Sequence, residues 1–197
     1  MCELAIRENE IEYNPFRGAA PKLDDAVDRS EGFDAAEMKA ISDGLHILPA
    51  DDQLLVRWLA CTGARLSEIS TVSGERTAKD GIRYMSIGKK PGGKKTDASV
   101  RDLPLPVWLP GFPDKIDGPL FRDPPGASGR LIRFLKSVGV WVKYEKVVHS
   151  LRHTATSDLR TAGYSEDWID ALEGHATPLY GKYNLPTLRE MMGKVGL

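Results

Sequence analysis

The segment His149-Ser150-Leu151-Arg152-His153 carries the densest group of side chains able to bind or protonate an anion. At the start of a helix, His149 and Arg152 lie one turn apart on one side, while Leu151 and Leu159 face a core. Free N–H groups and the positive dipole end make such a helix start a natural phosphate site. The same residues also read as a capped helix with a solvated arginine. A metal reading through His149 and His153 at i,i+4 is weak, because the zinc-hydrolase pattern needs a glutamate where Ser150 stands.

Three further groups could join this chemistry. In Thr62-Gly63-Ala64-Arg65-Leu66-Ser67-Glu68-Ile69, Gly63 breaks an apolar helix and Arg65 opens the next, one turn before Glu68. Alone, this is an ordinary intrahelical Arg–Glu pair. Lys94-Lys95-Thr96, followed by Ser99, Arg101 and Pro104, reads alone as a solvated loop. In Leu172-Glu173-Gly174-His175, a helix ends and a histidine follows at once, with Tyr180 and Tyr183 downstream.

The elements that must position these groups follow from periodicity and punctuation. Residues 1–12 read as a helix closed by Asn14-Pro15, with linker-like sequence up to Ser30. Asp34 with Glu37 forms a capping box, and Met38, Ile41 and Leu45 follow at helical spacing. Pro49 and Asp51 open a second helix that stops at Gly63, followed by a short one from Arg65 to Ile69. Residues 81–106 read as a β-hairpin with a lysine-laden tip at Pro91-Gly92-Gly93. Residues 104–128 are a Pro/Gly-rich loop, and a basic helix runs from Arg130 to Val138. Ser150 caps a helix ending at Gly163, Ser165 caps one ending at Gly174, and Pro186 opens a last short helix. The expected class is α+β, mainly α, with a small antiparallel sheet.

Composition sets outer limits. The chain has 197 residues, 27 basic and 28 acidic side chains, and a net charge of −1. That length suits one domain, or one domain with a fragment of another. No apolar run is long enough for a transmembrane helix, and the first residues, MCELAIRENE, lack a secretory signal. Cys2 and Cys61 cannot build a disulfide framework, which fits a reducing cytosol. Net charge argues at first sight against a nucleic-acid partner, but it conceals segregation. Residues 1–50 hold 11 acidic against 5 basic groups, a balance of −6. Residues 83–101 (Arg83, Lys89, Lys90, Lys94, Lys95, Arg101 against Asp97) and 130–160 (Arg130, Arg133, Lys136, Lys143, Lys146, Arg152, Arg160 against Glu145 and Asp158) each reach +5. Two basic segments in an acidic chain point to a localised anion site.

Taken in order, these pieces resemble the catalytic domain of the tyrosine recombinases, the phage-integrase family, from about Phe33 to Tyr183. The stretches TGARLSEI, KTDASVRDLPLP and HSLRHTATSDLRTAGYSEDWIDALEGHA carry the resemblance. It implies the family's catalytic fold over residues 33–197. It also implies a remnant helix of the N-terminal core-binding domain over 1–17 and a linker over 18–32.

The activity it implies is site-specific DNA cutting and rejoining by transesterification through a 3′-phosphotyrosyl link, without metal or cofactor. Arg65 and Arg152 would clamp the phosphate, and Lys95, which stands directly before Thr96 as in the family pattern, would protonate the leaving 5′-oxygen. His149 would act as acid/base near the tyrosine and His175 would hydrogen-bond a nonbridging oxygen. Glu68 would orient Arg65 or His149 without touching DNA, and His153 would be structural. Lys89, Lys90, Lys94, Arg130 and Arg133 are expected on the DNA-binding face.

Spacing from His175 favours Tyr183 as nucleophile, whereas the sequence after it, Gly181-Lys182 and Leu185-Pro186-Thr187-Leu188, favours Tyr180. Tyr180 is the choice and Tyr183 the alternative. The implied partners are a double-stranded recombination site and further copies of the chain, assembling as a tetramer on DNA from a protein mostly monomeric without it. The implied location is the cytoplasm of a bacterium or phage-infected cell, at the nucleoid. A catalytically impaired DNA-binding accessory protein of the same fold is the alternative function. A type IB topoisomerase and a metallohydrolase stand further off.

Overall fold

The computed structural model describes residues 31–87, 101–175 and 184–197. The expected remnant helix and nearly all of the linker therefore lie outside the described residues, as do Lys89, Lys90, Lys94, Lys95, Tyr180 and Tyr183.

Helix α1 (Ala35–Gly44) starts with the capping box read from the sequence. The Asp34 side chain accepts from the amides of Ala36 and Glu37, and Glu37 Oε2 accepts from the Asp34 amide at 2.8 Å. After a 3-10 turn (Leu45–Ile47), α2 (Ala50–Thr62) runs through the centre of the molecule. Leu54, Leu55, Val56, Trp58, Leu59, Ala60 and Cys61 are all buried, so the helix is enclosed on nearly every side. Helix α2 packs on α5 (Ser150–Thr161), and this pairing fixes the relative height of Gly63 and Arg152.

Asp52 is the one charged side chain among the buried residues of this helix. It shares the buried face with Leu55, Val56 and Leu59, and Arg130 grips both its oxygens, with Nε 2.9 Å from Oδ2 and Nη2 3.0 Å from Oδ1. Arg130 belongs to α4 (Ala127–Ser137) and also donates to Asp123 and to the Arg122 carbonyl. The basic residue expected on the DNA face is thus committed to the protein's own carboxylates. Arg133, one turn on, is exposed. Helix α4 begins three residues earlier than its charge pattern suggested. Asp123 accepts from the Gly126 amide, and Pro124 starts a 3-10 turn (Pro124–Gly126) that feeds straight into it.

The sheet has three antiparallel strands in the order β1 (Arg76–Thr77), β2 (Arg83–Ile87), β3 (Arg101–Pro104). Met85 pairs with Leu103 on the buried face, while Ser86 and Asp102 hydrogen-bond on the outer one at 2.6 Å. Arg83 holds β1's approach through a two-pronged contact to Glu75.

Ser150 does not cap α5 as expected. His149 is the cap residue, and the Ser150 hydroxyl instead accepts from the Val147 amide and donates to the Glu145 carbonyl, bracing the preceding turn. Helix α6 (Glu166–Glu173) follows Ser165 and ends at Gly174. Asn184 caps the last helix, α7 (Leu185–Met192), by accepting from the Thr187 amide at 2.9 Å. Leu188, Met191 and Met192 are buried, and α7 packs in cis against β3. No helix among the described residues is long and apolar enough to cross a membrane.

Candidate active site

Two left-handed glycines at helix ends build the site. Gly63 (φ 61°) closes α2 and turns the chain so that Arg65 emerges at the start of α3 (Leu66–Ser70). Gly174 (φ 78°) closes α6 and presents His175. A side chain at either position would be strained in this backbone conformation.

Arg152, one turn into α5, bridges both corners. Its Nη1 donates to the Gly63 carbonyl at 2.6 Å, and its Nη2 donates to the Glu173 carbonyl at 3.1 Å. Nη2 also lies 3.0 Å from Glu173 Oε2 and 2.8 Å from His175 Nε2. A guanidinium can only donate, so His175 Nε2 is the acceptor and the neutral ring carries its proton on Nδ1. That nitrogen faces Asp170 and Glu173 at 3.7 and 3.8 Å. Arg152 is only 4% exposed, and burial pushes its pKa below the usual arginine value. The positive charges of Arg65 and Arg101 add to that effect, while Glu173 opposes it.

Glu68 is the second buried carboxylate. Its Oε2 accepts from the Arg65 amide at 2.9 Å and its Oε1 from Arg65 Nη1 at 3.2 Å. Arg101 arrives from β3 and pairs with the same two oxygens at 2.9 and 3.3 Å. Burial pushes the Glu68 carboxyl up, but the hydrogen bond and charge of Arg101, with the amide and charge of Arg65, outweigh it and hold it below its ordinary value. Glu75 is likewise held down, first by its hydrogen bond from Arg83.

A carboxylate with a depressed folded pKa stabilises the fold fully above its unfolded pKa, about 4.3 for glutamate. That stability is lost as pH falls through the folded value. Urea denaturation is therefore expected to show stability falling below about pH 4.3, and Glu68→Gln to make that fall shallower. An acid limb as steep in Glu68→Gln as in the parent would contradict the assignment.

Three guanidiniums (Arg65, Arg101, Arg152) thus face two buried carboxylates (Glu68, Glu173), leaving one net positive charge before the exposed pair of His175 and Asp170 is counted. Arg65 and His175 are the exposed members, with side chains 42% and 51% accessible. His149 lines an adjoining cavity of about 280 Å³ with Arg152, Leu59, Ala64, Leu66 and Leu151. Its ring meets His153 edge-on at 5.0 Å. Among the described residues no group of three His, Cys, Asp or Glu side chains is placed to hold a metal ion. The arrangement is suited to gripping a tetrahedral anion between Arg65, Arg152 and His175.

Of the residues expected at the site, the structure brings together Arg65, Glu68, Arg152 and His175, and places His149 on the cavity that Arg152 also lines. Two members were missed, Arg101 and Glu173. Both carried a signal. Arg101 shares strand parity with Leu103 and Leu105, and so points inward, where a charge needs a partner. Glu173 lies four residues after Ile169 and beside Leu172, on the apolar face of α6.

No protein-family model and no curated protein sequence matches the chain. Solved structures do match over most of its length. A lambda integrase (75-356) dimer bound to a COC′ core site gives a TM-score of 0.60 at 16% identity, covering 93% of this chain and 71% of that one. XerA recombinase gives 0.52 at 20% identity, covering 98% and 71%. XerH site-specific recombinase, in a pre-cleavage complex with its difH substrate, gives 0.51 at 18% identity, covering 82% and 49%. The chain thus spans about half the length of the XerH chain, and 56% of a lambda integrase chain in a tetramer bound to a Holliday junction. Its structural neighbours are tyrosine recombinases, and its fold is that of their catalytic domain, as the sequence resemblance implied.

Proposed function

We propose that this chain is the catalytic domain of a site-specific DNA strand transferase that works through a phosphotyrosyl intermediate. The observation that carries the reading is the convergence of Arg65, Arg152 and His175, from three helix ends, on one electropositive corner. Phosphoryl transfer puts charge on nonbridging oxygens, which fixed guanidiniums stabilise without reorganising.

On this reading a DNA phosphate enters between Arg65 and Arg152 and replaces His175 Nε2 as an acceptor for Arg152. His175, freed from Arg152, changes tautomer by losing its Nδ1 proton to water and gaining one from water on Nε2, from which it donates a hydrogen bond to a nonbridging oxygen. The Tyr180 oxygen, or that of Tyr183, attacks phosphorus as its proton passes to His149. The bond from phosphorus to the 5′-oxygen breaks, and Lys95 protonates that oxygen. Rejoining reverses each transfer. Glu68 holds Arg65 through its backbone and its side chain.

Lys89, Lys90, Lys94 and the exposed Arg133 extend the DNA-facing charge, while Arg130 contributes to stability. With few basic groups spread beyond the site, binding is weak and is weakened further by salt. Copies of the chain assemble on DNA as a tetrameric synapse and separate without it. The protein acts on DNA in the cytoplasm.

The test starts from a library of randomised duplexes, each carrying one nick so that the cleaved end is lost and the covalent product accumulates. The expected outcome is a denaturation-resistant protein–DNA adduct that forms in excess chelator. The adduct is expected to vanish in Tyr180→Phe and persist in Tyr183→Phe; the opposite pattern moves the nucleophile to Tyr183. No adduct with any duplex, in a chain that still retains DNA on a filter, would replace this reading with that of an accessory DNA-binding protein.

A further inference from the structure

We propose that Arg101 is a positioning residue that locks the arginine corner to the histidine corner and ties both to the strand that follows residues 88–100. Its guanidinium makes three commitments to segments far apart in the chain. Nη1 and Nη2 pair with the two oxygens of Glu68, the carboxylate that also holds Arg65. Nε donates to the Leu172 carbonyl at 2.8 Å, one of the carbonyls that the end of α6 leaves without an intrahelical partner. A cation there also suits the negative end of the helix dipole. The third commitment is steric. Gly174 lies flush on the guanidinium, so that a Cβ at that position would overlap Nη1.

With its side chain only 9% exposed, Arg101 lies beneath the corner rather than facing an incoming phosphate. Its part is to fix where Arg65 and His175 stand relative to one another. Lysine can replace the charge but not the planar fork that reaches Glu68 and Leu172 together. The expected consequence of Arg101→Lys is a loosened corner in a folded protein. An ångström of misplacement in such a site costs roughly 100-fold in rate.

The kinetic part of this inference rests on the strand-transfer reading; the structural part does not. The experiment compares the parent chain, Arg101→Lys and Arg101→Gln by thermal unfolding and by amide NMR of Leu172, Gly174 and His175. Single-turnover cleavage of a duplex recovered from the library is measured at saturating DNA. The expected result is a cooperative unfolding transition in at least one variant, with the Leu172, Gly174 and His175 signals displaced. The cleavage rate per folded molecule falls roughly 100-fold, with half-saturating DNA concentration little changed. Arg101→Lys is also expected to cost less in a Glu68→Gln background, because part of its effect passes through Glu68.

A rate per folded molecule equal to the parent's overturns the proposal, as do unmoved Leu172, Gly174 and His175 signals in a folded variant. If the parent itself forms no adduct, the strand-transfer reading fails and the NMR displacement alone decides whether Arg101 positions the corner.

Discussion

Arg152→Lys is expected to slow strand cleavage by about 1,000-fold or more while leaving most of the fold intact. Lysine keeps a positive charge opposite Glu173, so the buried carboxylate is not orphaned. What it loses is the fork. Arg152 spans from the Gly63 carbonyl to Glu173 and His175, and an ammonium group cannot make those contacts at once. Arg152→Ala is a different experiment, because it strands Glu173 in the interior. Removing one partner of a buried pair typically costs about 3–5 kcal/mol, so Ala is expected to lose stability as well as rate. Single-turnover cleavage with urea denaturation of both variants separates the two effects. Cleavage by Arg152→Lys within about 10-fold of the parent would mean that this guanidinium does not hold the phosphate.

The second large effect is expected at Glu173. Its carboxylate is 3% exposed, accepts from the Thr156 hydroxyl and pairs with Arg152. It also packs against Gly63, so it braces the corner from below. Glu173→Ala leaves the Arg152 guanidinium buried without its countercharge and the Thr156 hydroxyl without that acceptor. A cost of about 3–5 kcal/mol is expected. Glu173→Gln keeps the size and can still accept from Thr156 and Arg152, and is expected to cost less, about 1–3 kcal/mol. Urea denaturation at neutral pH reads both. Equal stability of parent and Glu173→Ala would show that the pair is not the countercharge the geometry makes it.

Most of what positions the site was readable from short patterns with a local cause. The Asp34–Glu37 box, the stop at Gly63, the stop at Gly174 and the inward Leu103 and Leu105 depend on neighbours within a few residues. The readings that failed depend on partners distant in sequence. Arg130 read as one of a run of surface cations, and nothing nearby announced that Asp52, 78 residues away, would bind it. Ser150 had the type and place of a helix cap, yet its hydroxyl went to the turn behind it, because His149 already lies in helical geometry. Arg101 was counted as charge and Glu173 as part of a helix end when their periodicity already placed them inside. A charged residue in register with buried leucines carries more information than its contribution to a net balance. The near-neutral total charge was uninformative for the same reason. Five of the site's charges cancel almost completely, yet they are fixed within one corner, with the Arg65 guanidinium at its exposed side.

On the proposed reading, this corner drives transfer of a DNA phosphate onto a tyrosine of the same chain. The most direct measurement is mass spectrometry of the covalent adduct after nuclease and protease digestion, on the parent chain and on Arg152→Lys. The parent is expected to carry a nucleotide attached through a 3′-phosphate to Tyr180, or to Tyr183, and Arg152→Lys to yield about 1,000-fold less of that peptide at early times. A nucleotide on any other residue, or an undiminished tyrosyl adduct in Arg152→Lys, would contradict it.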